Sequence, residues 1–198
     1  MWDLLRYSFF QNALLGSMFA SVACAIIGTY IVSRRLVFIS GGITHASFGG
    51  IGIGIYAGIS PIFCAAVYSV LSALGIEWFS RKSNVREDSA IAVFWTFGMS
   101  IGIIFSFLTK SYVPDISSYL FGNILAVTHA DLVFILCMAL VLVVFFSLYA
   151  RSIISLSFDR DFAMSNGIPV ALFEYVLMAL IALTVVSCLR MIGIVLTI

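Results

Sequence analysis

The stretch LVFISGGITHASFGGIGIGIYAGISPIFCAAVYSVLSALGI, residues 36 to 76, contains no Asp, Glu, Lys or Arg. A helix that crosses the hydrocarbon core of a bilayer, about 30 Å thick, needs about 20 predominantly apolar residues. The stretch is long enough for two such crossings, and Gly58-Ile-Ser-Pro61 marks a break between them. It therefore predicts a pair of helices inside a membrane.

The rest of the chain has the same apolar character. Of its 198 residues, 63% are hydrophobic and 10% are charged, and the mean hydropathy is +1.18, which excludes a water-soluble domain. The apolar runs lack the short polar and apolar alternation of a transmembrane β-barrel. The sequence therefore predicts an all-α integral membrane protein, a polytopic helical bundle whose spans lie near 8–32, 41–58, 62–80, 89–109, 131–150 and 169–189.

Basic residues in the predicted loops indicate the orientation, because short cytoplasmic loops collect Lys and Arg. The loops on one side of the bundle hold Arg34, Arg35, Arg81, Lys82, Arg86, Arg151 and Arg160, whereas those on the other side hold Arg6, Lys110 and Arg190. This asymmetry predicts that the N-terminus lies outside the cell.

The stretch 116–130 is apolar in its middle but short for a membrane span. We expect it to lie at the outer face as a re-entrant or interfacial segment packed against protein. If it crossed the membrane, every later loop would change sides, and Arg151 and Arg160 would contradict the charge bias. We interpret residues 1–198 as one transmembrane domain. Because no charged or aromatic flank closes the last apolar run, we expect the natural protein to continue beyond Ile198.

His45 is the ionisable residue of the charge-free stretch 36–76. An ionisable side chain at membrane depth is costly and commonly marks a functional site. It lies beside a stripe of small residues that lets neighbouring helices approach closely, namely Gly42, Ala46, Gly50, Gly54 and Gly58. His45 is therefore predicted to face the bundle. Its residue type fits both a metal ligand or gating group and an interhelical hydrogen-bonding residue, and both interpretations stay open.

The cytoplasmic segment Ser157–Pro169 has the pattern of a short, separately capped helix. Ser157 is a possible N-cap, Asp159 and Asp161 suit the first turn, and Asn166-Gly167 suits a left-handed C-cap before Pro169. The alternative is an ordinary connector between two spans.

Several functional classes are excluded by what the sequence lacks. It contains no GxxxxGK[ST] phosphate loop, no HExxH motif and no GxSxG motif, and thus no recognisable catalytic constellation. It also lacks a basic run of the kind that binds nucleic acid. We therefore expect neither an enzyme nor a nucleic-acid-binding protein.

Three motifs, in order along nearly the whole chain, resemble the permease subunits of zinc, manganese and iron ABC transporters. They are RRLVFISGGITHAS at 34–47, YLFGNILAV at 119–127 and DRDFAMSNG at 159–167. The resemblance implies a bundle like the ABC importer permeases of the metal and vitamin B12 type, in a bacterial cytoplasmic (inner) membrane. It implies two permeases, two cytoplasmic ABC ATPases that hold the ATP, and an extracellular or periplasmic metal-binding protein. The metal is the cargo, and no covalently bound cofactor is implied.

The resemblance also implies roles for individual residues. His45 matches a family histidine that resembles a metal ligand in the translocation path, and Gly41 stands where relatives commonly have Asp. Asn123 likewise stands where Asp is frequent, and with Gly41 and Asp115 it is placed along the path. The ATPase-coupling helix is matched by Asp159, Asp161, Phe162, Ala163 and Gly167, with Ala163 expected at a close contact with the ATPase. The alternatives are an ABC permease for another small solute, favoured by Gly41, and a membrane bundle subunit without transport.

Overall fold

The structure, a computed structural model, describes residues 7–83, 85–109, 122 and 127–193. The described residues form the helices α1 (Ser8–Ser33), α2 (Phe38–Ala57), α3 (Pro61–Ser83), α4 (Glu87–Leu108), α5 (His129–Phe158), α6 (Arg160–Ser165) and α7 (Val170–Ile192). All of them except the short α6 are long and apolar enough to cross a membrane. The predicted all-α bundle and its six spans are confirmed, whereas residues 116–121 and 123–126 of the stretch 116–130 lie outside the described residues.

Helix α5 is much longer than its predicted span of 131–150. It begins with a capping box, in which the backbone N–H of Thr128 donates to the Asp131 carboxylate at 2.9 Å and the Asp131 N–H donates to the Thr128 hydroxyl. It changes direction at Tyr149, where φ is −108° and ψ is 17°, and then continues as far as Phe158. Arg151 therefore lies on a helix and not in a loop, because a helix can extend beyond the hydrocarbon core into water, where a charge is tolerated.

Helix α7 lies at the centre of the bundle. It packs against α3 on one side and α5 on the other, and it also contacts α1 and α2. The remaining major contacts join α2 to both α3 and α4, and α1 to α5. The core between these helices is built mainly of Ile, Leu and Ala side chains.

Helices α2 and α4 approach backbone to backbone. A Cβ atom placed on Gly98 of α4 would lie 2.6 Å from the Cα atom of Ala46, and one placed on Gly52 of α2 would lie 2.5 Å from the carbonyl oxygen of Gly102. Real Cβ atoms essentially never come so close to another heavy atom. Without a hydrophobic driving force between helices in lipid, such small residues permit the van der Waals packing that holds them together.

The small-residue stripe of α2 packs against two neighbouring helices, α4 and α3. Its first half faces α4, where a Cβ on Gly42 would overlap the side chain of Ile91. Its second half faces α3, where a Cβ on Gly50 would lie 2.6 Å from the Cα atom of Ala65 and one on Gly54 would lie 2.8 Å from the Cα atom of Pro61. Because residues four apart drift around a helix of 3.6 residues per turn, one stripe passes from one neighbour to the other.

The turn between α1 and α2 contains a non-glycine residue in the left-handed region. Arg35 has φ of 59°, and the N–H groups of Arg35 and Leu36 donate to the carbonyls of Val32 and Ile31. This is the Schellman arrangement, which usually places Gly at the position of Arg35.

Arg35→Gly is therefore expected to raise the free energy of unfolding by about 0.5 to 1 kcal/mol. Relief of left-handed strain, about 1 to 2 kcal/mol, exceeds the added flexibility of glycine in the unfolded chain, about 0.5 to 1 kcal/mol. Thermal unfolding in detergent measures the change, with Arg35→Ala as the control that removes the side chain but keeps the strain. An equal effect of both substitutions would contradict the explanation.

Candidate functional site

The imidazole of His45 stacks on the indole of Trp95. The ring centroids are 4.3 Å apart and the planes differ by 9°. His45 lies on α2 and Trp95 on α4, and both side chains are half-buried. The glycine contacts that bring these two helices together also set the distance between the rings. Trp95 was not predicted from the sequence, because an aromatic residue in an apolar span is not distinguished from its neighbours.

One nitrogen of His45 is buried without a partner. In the part of the chain that the structure describes, Nδ1 makes no hydrogen bond. Unpaired buried polar atoms are uncommon and often indicate a functional group or an unseen ligand. Gly41, one turn before His45, is buried and supplies no side-chain ligand. Asp115 and Asn123, also predicted along the path, lie outside the described residues.

The described residues contain no group of three or more His, Cys, Asp and Glu that could hold a metal ion. His45 thus offers a single ligand in this part of the molecule. A site with so few donors would bind a divalent metal weakly, and it would need water, substrate-borne ligands or other protein groups to complete the coordination shell.

The short helix α6 is capped at both ends. The Asp159 carboxylate accepts hydrogen bonds from the N–H groups of Asp161 at 2.9 Å and Phe162 at 3.1 Å, so Asp159 is the N-cap. The prediction of Ser157 as N-cap is wrong, since Ser157 belongs to the last turn of α5 and its hydroxyl donates to the Ile153 carbonyl. At the other end, Gly167 has φ of 75° and closes the helix as predicted.

Ala163 faces the bundle and not the outside. It is fully buried, and it is the buried residue of α6. The expectation that Ala163 lies against an ATPase is therefore corrected, because helical periodicity turns its neighbours outward instead. Phe162 and Met164 are exposed large apolar residues on this helix.

Three arginines converge on Glu174 in the first half of α7. Its carboxylate oxygens lie 3.1 Å from Nη2 of Arg34, 3.3 Å from Nη1 of Arg81 and 3.0 Å from Nη2 of Arg160. The Glu174 side chain is 4% exposed. Arg34 also donates to the carbonyl of Leu156 in α5. We name this set, Glu174 with its three arginines, the arginine hub. A lone acid in an apolar run is the sequence signal that marks it.

The arginine hub brings together three of the basic residues that the charge bias assigns to one side. Arg34 follows α1, Arg81 ends α3 and Arg160 begins α6, so these ends lie at the same end of the bundle. An open cleft of about 460 Å³ adjoins the hub, lined by Glu77, Ser80, Arg81, Val85, Arg86, Glu87 and Arg160. Glu77 is buried, and its carboxylate lies 3.9 Å from Arg81.

Comparison with known proteins identifies relatives over the full length of the chain. The model of the ABC 3 transport family matches residues 6–198. An uncharacterized membrane protein of Synechocystis sp. is 40% identical over 198 residues, which cover all of this chain and 70% of the relative. The manganese transport system membrane protein MntC of Halalkalibacterium halodurans is 34% identical over 99% of this chain and 67% of its own length.

Solved structures show the same fold. PsaBC from Streptococcus pneumoniae, solved in complex with Fab, superposes with a TM-score of 0.82 at 27% identity, over 98% of this chain and 70% of that chain. A putative metal-chelate type ABC transporter in an inward-facing conformation superposes with a TM-score of 0.76 over 93% of this chain and 63% of that chain. At 16% identity, the second likeness concerns the fold alone.

Proposed function

The chain belongs to the ABC 3 transport family, and from this premise we propose that it is the transmembrane subunit of an ATP-driven importer for a divalent transition metal. The family consists of transport permeases and not of enzymes. The chain is a multi-pass protein of a bacterial membrane. In the proposal, it forms the translocation path, and separate cytoplasmic ATPases supply the energy.

The stacked, half-buried imidazole of His45 is the observation that most supports a metal cargo. Imidazole suits borderline metals such as zinc and ferrous iron and is also found around manganese, whereas magnesium and calcium prefer oxygen ligands. The names of several relatives, including MntC, refer to manganese or metal transport. Among zinc, manganese and iron, one imidazole without the carboxylate that the family resemblance implies at the position of Gly41 favours zinc or iron.

An ABC permease for another small solute is the second candidate, and two observations favour it. Gly41 removes the carboxylate that a metal site would use, and Trp95 gives His45 an aromatic neighbour that suits a flat organic group or a metal chelate. In that case, the indole would contact the cargo directly.

The cargo is tested with the full-length protein, its ATPase and its extracellular metal-binding protein in lipid vesicles supplied with ATP. We expect uptake of at least one of zinc, manganese and ferrous iron, and no uptake of magnesium or calcium. Uptake of a metal chelate without uptake of any free metal ion would favour the second candidate. Uptake of none of these would contradict the proposed function.

The proposal also assigns the partners. Two copies of the permease would pair in the membrane and receive the metal from an extracellular metal-binding protein, as the family implies. The cytoplasmic ATPase would bind α6, whose exposed Phe162 and Met164 form a small apolar surface. Large aromatic side chains are frequent anchors at protein interfaces.

Phe162→Ala is therefore expected to weaken the binding of the ATPase by about tenfold or more, the effect of losing an interface anchor. Membrane insertion should be unaffected, because the side chain is exposed and lies outside the spans. Phe38→Ala, at the start of α2, is the matched control at an exposed aromatic residue on the same predicted side. Co-purification of the two subunits measures the effect, and equal recovery with Phe162→Ala and with the control would exclude α6 as the docking helix.

A further inference from the structure

Glu174 connects the short helix α6 to the membrane spans through a single buried carboxylate. Of the three arginines around it, Arg34 and Arg81 come from the ends of α1 and α3, and Arg160 is the first residue of α6. Glu174 itself belongs to the central helix α7. One side chain thus contacts three other parts of the bundle, through charge-assisted hydrogen bonds from Arg34 and Arg160 and an ion pair with Arg81. Charge-assisted hydrogen bonds are stronger than neutral ones.

The three arginines differ in their exposure to water. The side chain of Arg34 is 17% exposed, that of Arg81 is 28% exposed and that of Arg160 is 42% exposed, and both Arg81 and Arg160 line the open cleft. Arg34 is fixed further by its bond to the Leu156 carbonyl, and Arg81 by the Glu77 carboxylate and the ring of Tyr175. Arg34 and Arg81 therefore keep Glu174 paired even when Arg160 moves away. Arg160 is the arginine whose ion pair with Glu174 can break and form again.

The other contacts of α6 with the bundle are few. Ala163 is its buried residue, and the N–H of Ile168 donates to the Ala163 carbonyl to close the helix. The ion pair of Arg160 is the polar contact that joins α6 to a membrane span. A push on α6 is therefore transmitted to α7 through Glu174, and from the same carboxylate to α3 through Arg81. Helix α3 packs on α2, which carries His45.

We propose that Glu174 and Arg160 are positioning residues that couple movement of α6 to the translocation path, with Glu174 as the fixed point and Arg160 as the link that forms and breaks. This inference rests on the proposed function, since it assumes an ATPase that moves α6. It adds a specific pair of residues through which that movement reaches α3 and α7.

Arg160→Gln tests the proposal, because it removes the link and leaves Glu174 paired with Arg34 and Arg81. In vesicles that contain the variant and its ATPase and are supplied with the metal-binding protein, we expect metal uptake per ATP hydrolysed to fall by about tenfold, within the range usual for coupling between two sites. Arg160→Lys keeps a cation but not the planar guanidinium, so its metal uptake per ATP hydrolysed should lie between the values for Arg160→Gln and the wild type. Arg151→Gln, at an exposed arginine on α5, is the matched control and should keep the wild-type ratio.

Hydrogen exchange of the backbone amides 160–168 in the isolated permease is the second measurement, and it needs no cargo. We expect faster exchange in Arg160→Gln than in Arg151→Gln, because the first variant loosens α6 from the bundle. Unchanged exchange would contradict the proposal that Arg160 holds α6 against the bundle. Faster exchange with an unchanged uptake-to-hydrolysis ratio would show that the Arg160–Glu174 ion pair is a local contact without a role in coupling. A wild-type complex that moves no metal would contradict the proposed function, while the exchange rates would still decide whether Arg160 holds α6.

Discussion

Gly98→Leu is expected to prevent the bundle from folding. Even the first added carbon would lie 2.6 Å from the Cα atom and 2.8 Å from the carbonyl oxygen of Ala46, and backbone atoms cannot rotate away as a flexible side chain can. Helices α2 and α4 would have to separate, with loss of the packing along their whole contact. Overpacking of a well-packed core costs about 1 to 3 kcal/mol and occasionally more, and we expect a cost above that range here because the contact is with the main chain.

The matched control is Gly28→Leu on α1. A Cβ atom at Gly28 would meet no other atom within 4 Å, so the same substitution there adds an apolar side chain without a clash. The yield of monodisperse protein in detergent and its thermal midpoint measure both variants. We expect a near-complete loss of folded protein for Gly98→Leu and a near-normal yield for Gly28→Leu. Equal yields would contradict the close approach of α2 and α4.

His45→Ala is expected to abolish metal transport while leaving the protein folded. Loss of a residue that only supports a metal ligand typically costs about 10- to 100-fold in affinity or activity, so loss of the ligand itself should cost at least about a hundredfold. The fold should survive because His45 is only half-buried and its Nδ1 atom makes no hydrogen bond within the described part of the chain. Uptake in vesicles should therefore be lost, while the thermal midpoint should stay close to that of the wild type.

Two further variants make the His45 test specific. His129→Ala removes the other histidine of the chain, at the exposed start of α5, and should leave uptake unchanged. Gly41→Asp introduces the carboxylate that the family resemblance implies one turn before the histidine, and we expect tighter metal binding or a shift in selectivity towards manganese, which prefers oxygen ligands. Normal uptake of zinc, manganese and iron by folded His45→Ala protein would leave His45 as a packing residue.

The sequence predicts the fold well because the membrane restricts the choices. Without water to bond the backbone, each long apolar run must be a helix, so the spans around 8–32 and 62–80 could be placed to within a few residues. The end of α5 was missed by eight residues, since a helix that leaves the bilayer has no hydropathy signal. The N-cap of α6 was misplaced because Ser157 and Asp159 are both good caps, and only the structure shows which carboxylate or hydroxyl bonds the free N–H groups.

The site is less predictable than the fold because it depends on contacts between distant segments. His45 is visible in the sequence as an ionisable residue in a charge-free run, yet its stack on Trp95 depends on how α2 and α4 cross. Glu174 is equally visible as a lone acid. Its three arginine partners lie up to 140 residues away, and no periodicity within one helix connects them. The side of α6 that faces outward could likewise be identified only from the burial of Ala163 in the structure.

The energy source is the central claim of the proposal: residues 1–198 contain no phosphate loop, and in the proposed importer a separate ATPase supplies the energy. The direct measurement is metal accumulation against a gradient in vesicles that contain the full-length permease and are supplied with its metal-binding protein, with and without its ATPase, and with and without ATP. We predict accumulation only when both the ATPase and ATP are present, and no ATP hydrolysis by the permease alone. Accumulation against the gradient by the permease without an ATPase would contradict the assignment as an ATP-driven importer subunit.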